Sequence, residues 1–261
     1  MKTVAIVQAR IGSTRLPGKV LFELAGRPMI CLILERIGRA AGIDQVALAT
    51  GDGPANDALA AVVADAGYQV VRGSEEDVLS RYRLACEATQ ADIVLRATGD
   101  CPFIDPAVLD ALLSLRSREN LDYATNVKPE TWPDGLDASV FTRETLMAAD
   151  AEATLSSERE HVVPWMWKNC AFEGGSRLSS ANLAAPADLS ALRWTVDDGL
   201  DYRLARGIAE TLGKDGAATA GWQQVLSAFR SQPAELLANQ STLRDEGYLK
   251  SLAKDGIESS K

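Results

Sequence analysis

Residues 4–19 read VAIVQARIGSTRLPGK, an apolar run that gives way to a loop rich in glycine, hydroxyl groups and cations. The run at 4–7 is short and wholly apolar, which predicts a buried β-strand. A strand that enters a Gly-rich loop presents backbone N–H groups at the carboxyl edge of a parallel sheet, where α/β proteins bind ligands. The loop contributes three cations, Arg10, Arg15 and Lys19. Arginine can bind two oxygens at once and lysine acts as a point charge, so this segment predicts a polyphosphate site.

The chain after this loop alternates between helical patterns and short apolar runs. Helical spacing of apolar residues covers 28–41, 56–66 and 80–90, and apolar runs cover 45–50, 68–71 and 93–95. Farther on, we predict strands at 123–126 and 192–198, and helices at 142–153 and 223–230, with a further helix that follows residues 199–202 and ends at residue 212. An alternation of strand and helix implies right-handed crossovers and parallel strands. The sequence therefore predicts an α/β fold with a mostly parallel sheet.

A second candidate site follows the apolar run that starts at Ile93, where residues 98–102 read TGDCP. An aspartate at the carboxyl end of a central strand lies where open sheets bind nucleotides and metals. Mg²⁺ is bound by one or two carboxylates and completed by phosphate oxygens, so Asp100 is a candidate ligand. The alternative is an ordinary turn aspartate before proline. The shared position with the basic loop favours the metal role.

Length and charge limit the remaining possibilities. A chain of 261 residues suits one large α/β domain with a tail, which we place at 1–230 and at 231–261, the latter polar and partly helical. The net charge of −9 disfavours binding to nucleic acid or to an anionic membrane. No run approaches 18 apolar residues and no signal peptide precedes the first strand, so we expect a cytoplasmic protein.

The run QARIGSTRLPGK at 8–19 resembles the signature loop of the sugar-acid cytidylyltransferases, which make CMP-Kdo and CMP-sialic acid. The SpsF-like group is the most similar branch. The resemblance implies a three-layer α/β/α nucleotide-diphospho-sugar transferase (Rossmann-like) fold, with the loop around the triphosphate of CTP. The implied nucleotide-binding residues are Gln8, Ala9, Arg10, Gly12, Ser13, Lys19, Arg72 and Thr98, with Arg72 near the base. The implied catalytic residues are Arg10, Lys19 and Asp100.

The same resemblance implies a magnesium site and an acceptor site. Asp100 and Asp197 would hold Mg²⁺, although Asp198 next to Asp197 is an open alternative. Two further motifs, around Gly135 and Asp137 and around Glu160 and His161, would face the acceptor or the second subunit of a homodimer. His161 is the only histidine, and a lone histidine is also compatible with a purely structural role.

The implied activity is transfer of CMP from CTP to a sugar acid, or to a small molecule with a phosphate or phosphonate, for cell-surface polysaccharide or glycoconjugate synthesis. One alternative is a glycosyltransferase of related fold, but Cys101 and Pro102 stand where its D-x-D motif would continue after Asp100. A nucleotidyltransferase for another base would be expected to begin with G-G-x-G-T-R-L, which is absent here. A non-catalytic nucleotide-binding protein would have no need of both acids, Asp100 and Asp197.

Overall fold

A computed structural model describes residues 1–242 and 244–257. The strands are β1 (Thr3–Gln8), β2 (Glu23–Leu24), β3 (Arg27–Pro28), β4 (Gln45–Gly51), β5 (Gln69–Gly73), β6 (Ile93–Thr98), β7 (Tyr123–Thr125), β8 (Ser139–Thr142) and β9 (Ser180–Asn182). The α-helices are α1 (Met29–Ile37), α2 (Asp57–Asp65), α3 (Val78–Thr89), α4 (Pro106–Glu119), α5 (Arg143–Glu152), α6 (Ser156–His161), α7 (Pro164–Lys168), α8 (Gly199–Thr219), α9 (Trp222–Arg230), α10 (Ala234–Leu237) and α11 (Glu246–Lys254).

The main sheet has the strand order β5-β4-β1-β6-β8-β7-β9. β8 is antiparallel to its neighbours, while β5, β4, β1 and β6 are parallel to one another. The chain moves outward from β1 through β4 to β5 and then returns to the other side of β1 as β6. This reversal creates a topological switch point between β1 and β6, the place where open α/β sheets form a ligand crevice. The predicted mostly parallel sheet is confirmed.

Two apolar layers cover the sheet because successive side chains of a strand point to opposite faces. On β1, Ala5 and Val7 pack toward α1, α2, α4, α8 and α9. Val4 and Ile6 pack toward α3, α5 and α7 on the other face. All four side chains are completely buried. The result is the predicted three-layer α/β/α arrangement.

A buried arginine joins three elements of the first helical layer. Arg36 of α1 donates hydrogen bonds to the carbonyl oxygens of Ile104 at 2.8 Å, Ala217 at 2.7 Å, Ala220 at 2.9 Å and Phe103 at 3.3 Å. Burial lowers the pKa of Arg36 to about 10, which leaves it charged at neutral pH. The guanidinium therefore ties the start of α4 and the end of α8 to α1.

The strand predicted at 192–198 is wrong. This segment is extended, but within the described residues it forms one isolated bridge, between Asp134 and Arg193, and no ladder. It crosses the carboxyl edge of the sheet instead, where Val196 N–H donates to the carbonyl of Asp100 at 2.8 Å. Gly135 allows the approach, since a Cβ there would lie 2.8 Å from the backbone nitrogen of Thr195. Individual hydrogen bonds to the edge of the sheet therefore hold this segment in place of strand pairing.

The C-terminal part returns to the carboxyl edge of the sheet. α11 packs against α6, and Tyr248 of α11 packs against the second apolar layer. The proposed division at residue 230 stays a prediction, and Leu243 and residues 258–261 of the predicted tail lie outside the described residues. None of the described helices is long and apolar enough to cross a bilayer.

Candidate active site

A cavity of about 310 Å³ opens at the switch point between β1 and β6. Its lining brings together most residues of the predicted site, namely Gln8, Ala9, Arg10, Gly12, Ser13, Lys19, Thr98, Asp100, Glu160, His161 and Asp197. Gln8 and Thr98 are aligned partners in the β1–β6 pairing, so the two predicted loops leave the sheet side by side. Residues far apart in sequence therefore meet because two parallel strands end together.

Gly99 makes this junction narrow. Its N–H donates to the carbonyl of Gln8 at 2.8 Å. A Cβ at position 99 would lie 2.6 Å from the Cβ of Ala9, closer than side chains approach. Only glycine lets the loop before Asp100 approach this closely to residues 9–19, the basic loop predicted to bind phosphates and called the phosphate loop below.

The phosphate loop forms hydrogen bonds within itself before it reaches Lys19. The carbonyl of Ile11 accepts hydrogen bonds from Ser13 N–H at 2.8 Å and from Gly18 N–H at 3.0 Å. Gly18 has φ 75°, a left-handed conformation that glycine adopts without strain. A short 3₁₀ turn, Lys19–Leu21, follows and directs the lysine into the cavity.

Lys19 is the centre of charge in the site. Its Nζ donates to the Val196 carbonyl at 2.7 Å and to Asp197 Oδ1 at 2.8 Å, and it lies 3.5 Å from Asp100 Oδ2. The residue is 8% exposed. Burial opposes its charge, but the two carboxylates outweigh burial and raise the pKa of Lys19. Burial would likewise raise the pKa of Asp197, yet Lys19, Arg15 and Arg193 lower it to about 2.

The same two carboxylates fit a small divalent cation. Asp100 and Asp197 already converge on one positive atom, Lys19 Nζ, and both face the cavity. Within residues 1–242 and 244–257 no cluster of three or more His, Cys, Asp or Glu side chains forms a complete metal cage. Mg²⁺ accepts such an arrangement, because phosphate oxygens and water complete its shell.

The neighbouring Asp198 has a different task. Its Oδ1 accepts hydrogen bonds from Leu200 N–H at 2.8 Å and from Asp201 N–H at 3.0 Å, which caps α8. A carboxylate at the start of a helix is favoured there by the orphan N–H groups and the helix dipole. The geometry thus directs Asp197, and not Asp198, to the cavity.

Arg193 fixes the position of Asp197, and the sequence reasoning missed it. Its guanidinium is 2.8 Å from Asp197 Oδ2, 2.9 Å from Asp201 Oδ2 and 2.7 Å from Asp134 Oδ2. Burial opposes its charge, but hydrogen bonds and the three acids raise the pKa of Arg193 further. The signal available in the sequence was a charged residue four positions before Asp197 inside an otherwise apolar run.

The other two cations of the loop are also paired. Arg15 lies 3.0 Å from Asp197 Oδ2 and 2.8 Å from Glu246 Oε2. Arg10 lies 3.9 Å from Glu75 and 3.8 Å from Glu160. These pairs are more than one-third exposed at the arginine, so each contributes little to stability. The cations remain available to a competing anion.

Two predicted site residues lie elsewhere. Arg72 donates to the carbonyls of Gly51 at 3.1 Å and Gly53 at 2.8 Å and lies 2.8 Å from Asp57, outside the described lining of the cavity. Arg81 of α3 lines the cavity in its place. Gly135 packs against the backbone of 194–195, with φ 112°, and serves the crossing segment. The role of Arg72 in reading the base stays a prediction.

A smaller cavity, about 80 Å³, adjoins the first. His161 lines both, and Asp137 lines only the smaller one among the described residues. Asp137 Oδ1 is 2.5 Å from Arg244 of the C-terminal segment. Burial, together with the cations Arg96 and Arg10, lowers the pKa of His161 to about 4, although Glu160 opposes this. His161 is therefore neutral at pH 7.

The C-terminal segment contributes residues to the site that no sequence motif predicted. Glu246, Gly247 and Lys250 line the larger cavity, and Asp245 and Tyr248 line the smaller one. Ser251 Oγ lies 3.0 Å from His161 Nε2 and 2.8 Å from Glu160 Oε2. The polar composition from which we predicted a separate tail is equally suited to lining a polar cavity.

Comparisons with known proteins identify the family of this chain. A family model described as Cytidylyltransferase matches residues 4–174. The spore coat polysaccharide biosynthesis protein SpsF of Bacillus subtilis (strain 168) is 31% identical over 215 residues, which cover 80% of this chain and 87% of that protein. The 3-deoxy-manno-octulosonate cytidylyltransferase of Anaeromyxobacter sp. (strain K) is 31% identical over 222 residues, or 78% of this chain and 89% of that protein.

Solved structures give the same result. A cytidylyltransferase from Leptospira borgpetersenii serovar Hardjo-bovis (strain JB197) has a TM-score of 0.82 and 29% identity, and the match covers 94% of this chain and 100% of that chain. The fold similarity thus extends through the C-terminal region that the family model leaves unmatched. The phosphate loop, the two converging aspartates and these matches lead to one conclusion: the chain belongs to the cytidylyltransferase family.

Proposed function

We propose that this protein is a CTP-dependent cytidylyltransferase that joins CMP to an acidic small molecule and releases pyrophosphate. The observation that carries the proposal is the meeting of Arg10, Arg15 and Lys19 with Asp100 and Asp197 in one cavity at the switch point. Cations suit the triphosphate, and carboxylates suit the metal that accompanies it. A site for phosphate alone would not need the two carboxylates, and a site for a metal alone would not need the three cations.

In this proposal the chain's own residues position the nucleotide. Arg10 and Lys19 bind the phosphates, and Gly12 and Ser13 offer backbone or hydroxyl donors beside them. Gln8, Ala9 and Thr98 form the floor of the cavity at the ends of β1 and β6. The Oε1 atom of Gln8 is buried without a hydrogen-bond partner among the described residues. That oxygen is available to a donor on the nucleotide.

The reaction needs alignment and charge neutralisation more than covalent help. An oxygen of the acceptor attacks the α-phosphorus of CTP, the bond from that phosphorus to the bridging oxygen breaks, and pyrophosphate leaves with the electron pair. An acceptor that attacks through a hydroxyl releases the hydroxyl proton to water. Arg10 and Lys19 stabilise the charge that develops on the leaving group. Asp100 and Asp197 would hold Mg²⁺, which would supply positive charge to polarise the α-phosphate. An acceptor that attacks through a phosphate or phosphonate oxygen requires no general base.

The acceptor belongs, in this proposal, to the smaller cavity beside His161. Asp137, Glu160 and His161 border it or its junction with the nucleotide cavity. The relatives named for octulosonate activation and for spore-coat polysaccharide synthesis support a sugar acid or an acidic sugar-like compound. A role in cell-surface polysaccharide or glycoconjugate synthesis, a cytoplasmic location and a homodimer complete the proposal.

The test measures pyrophosphate release with Mg²⁺ and each of the four nucleoside triphosphates, against a pool of sugar acids and phosphorylated or phosphonylated small molecules. We expect release with CTP alone and only when the pool is present. Release of a nucleoside diphosphate from nucleotide sugars would instead establish the glycosyltransferase alternative. Binding of CTP with no turnover across the whole pool would favour a non-catalytic nucleotide-binding protein.

The metal assignment has its own test. Asp100→Asn removes one anionic ligand without changing shape, and we expect turnover to fall by at least about 100-fold while the melting temperature stays near that of the wild type. Asp188→Asn is the matched control, because Asp188 is exposed and, among the described residues, bonds only to Ser190. Full activity of Asp100→Asn at saturating Mg²⁺ would disprove the assignment.

A further inference from the structure

Arg96 is a charged side chain near the middle of the sheet. It lies on β6, in register with Ile6 of β1 and Ser139 of β8, two residues before the strand ends. Its Nε is buried and has no hydrogen-bond partner, and within residues 1–242 and 244–257 no carboxylate forms an ion pair with its guanidinium. Arg96 lines the smaller cavity.

Other interior arginines of the described chain form hydrogen bonds or ion pairs through the guanidinium, although the Nε atoms of Arg81 and Arg244 also lack a partner. Arg36 bonds to four carbonyl oxygens, and Arg193 contacts three carboxylates. Arg96 as a whole is half-buried, but a buried N–H group that lacks such partners costs free energy. Because its Nε has no protein partner among the described residues, Arg96 can still donate hydrogen bonds to a ligand that enters the cavity.

The remaining charged groups of the cavity do not neutralise Arg96. Asp137 is paired with Arg244 at 2.5 Å. Lys128 stands 4.1 Å from the centre of the Trp167 ring and 3.7 Å from Glu173. Asp245 borders the cavity without an ion pair to Arg96 among the described residues. Burial lowers the pKa of His161, and the positive charge of Arg96 lowers this pKa further.

We propose that Arg96 binds the acidic group of the acceptor and makes the enzyme specific for anionic acceptors. The inference rests on the proposed cytidylyl transfer and names a residue that selects the substrate. The planar guanidinium can bind two oxygens of a carboxylate, a phosphate or a phosphonate at once. The cavity of about 80 Å³ holds an acidic group of a few atoms, at ~30 Å³ for each water displaced.

The distance along the chain sets the size of such an acceptor. Arg96 and Asp100 are four residues apart, so their Cα atoms are separated by at most about 14 Å. Because the two cavities share His161 in their lining, an acceptor with its acidic group at Arg96 and its attacking oxygen near Asp100 is a compact molecule. His161, which lines both cavities, lies along the path between the two ends.

The test compares Arg96→Gln and Arg96→Lys with the wild type. The probes are Kdo, N-acetylneuraminate, glucose 1-phosphate and 2-aminoethylphosphonate, each beside an uncharged counterpart such as the methyl ester or the free sugar. We expect pyrophosphate release only with acidic probes. Arg96→Gln should raise the KM for the acceptor by about 10- to 100-fold, with the KM for CTP changed less than twofold. Arg96→Lys should recover part of this loss, because lysine retains the charge but not the fork.

Arg177→Gln is the matched control. Arg177 is an exposed arginine that pairs with Glu152 on the surface, so its loss should leave both KM values unchanged. Guanidinium chloride at millimolar concentration should partly rescue Arg96→Gly and have no effect on the control. A purely structural role of Arg96 would instead lower the melting temperature without a selective change in the acceptor KM.

The outcomes separate this inference from the proposed function. If the wild type binds MgCTP but uses neutral acceptors as well as acidic ones, or if Arg96→Gln keeps the wild-type acceptor KM, the role of Arg96 is disproved while cytidylyl transfer stands. If no acidic probe supports release or raises the melting temperature of the MgCTP-bound wild type, the role of Arg96 is likewise disproved. If the wild type does not bind MgCTP by calorimetry, the proposed function itself fails.

Discussion

The only histidine of the chain can report whether the C-terminal segment is docked. His161 packs edge-to-face against Tyr248 of α11, with ring centres 5.1 Å apart, and its Nε2 lies 3.0 Å from Ser251 Oγ. Its side chain is 24% exposed. This burial, assisted by Arg96 and Arg10 and opposed by Glu160, lowers the pKa of His161 from 6.5 to about 4. The protonation of His161 can therefore be changed by lowering the pH or by substituting Tyr248.

The sign of the effect follows from proton uptake. Between pH 6.5 and about 4 the unfolded chain binds a proton at His161 that the folded protein does not bind. This contribution to stability is fully present above pH 6.5 and is lost as the pH falls toward 4. Each pKa unit corresponds to about 1.4 kcal/mol, so the contribution amounts to about 3 kcal/mol.

Nuclear magnetic resonance gives a direct assay, because a single imidazole contributes to the histidine region of the spectrum. We expect a titration midpoint near pH 4 in the wild type, or acid unfolding before it. Urea unfolding at pH 7 and pH 5 should show a lower free energy of unfolding at pH 5, and His161→Gln should reduce this difference by about 2 kcal/mol.

Tyr248→Ala should let water reach the imidazole and move the midpoint upward toward 6.5. The matched control is Tyr202→Ala, which removes an aromatic ring that packs on Phe22 and not on His161. A midpoint near 6.5 in the wild type would refute the reasoning, because His161 would then be as hydrated as in the unfolded chain. Equal shifts in both tyrosine variants would also refute it.

Three further results are expected from substitutions. Lys19→Met leaves Asp100 and Asp197 without their shared cation and should lower the free energy of unfolding in metal-free buffer by about 3–5 kcal/mol, measured with urea. Arg36→Leu leaves its buried carbonyl partners unsatisfied and should cost at least about 4 kcal/mol, while Arg118→Leu, at an exposed site, should cost little. Gly99→Ala places a methyl group 2.6 Å from the Cβ of Ala9, which should raise the KM for CTP and lower the free energy of unfolding by about 1–3 kcal/mol. Wild-type values in any of these three variants would contradict the contact on which its prediction rests.

The sequence was sufficient for the parts of the fold that depend on local pattern and simple topology. β1 and β6 were visible as apolar runs, and each ran into a loop with functional side chains. The switch-point rule then placed both loops at one edge, and the alignment of Gln8 with Thr98 confirms it. Apolar periodicity carries this information because burial of a strand or a helix face depends on residues close in sequence.

The sequence was insufficient where long-range polar pairs determine the structure. The segment at 192–198 has the composition of a strand, yet Arg193 and its three carboxylate partners hold it across the sheet edge. The C-terminal segment returns through Arg244 to Asp137 and through Glu246 to Arg15. No periodic pattern encodes which arginine meets which carboxylate over such distances, so these site residues could not be predicted from one sequence.

The pairing of charges in the ligand-free cavity has a consequence for how the nucleotide binds. Each cation of the phosphate loop is held by a carboxylate: Lys19 by Asp100 and Asp197, and Arg15 by Asp197. A triphosphate that arrives alone would attract these cations away and leave the two aspartates close together without compensation. A metal that arrives alone would face the ammonium of Lys19. Under the proposed function, nucleotide and metal entering together would exchange both sets of partners at once and keep every charge paired, so we expect their binding to be mutually dependent.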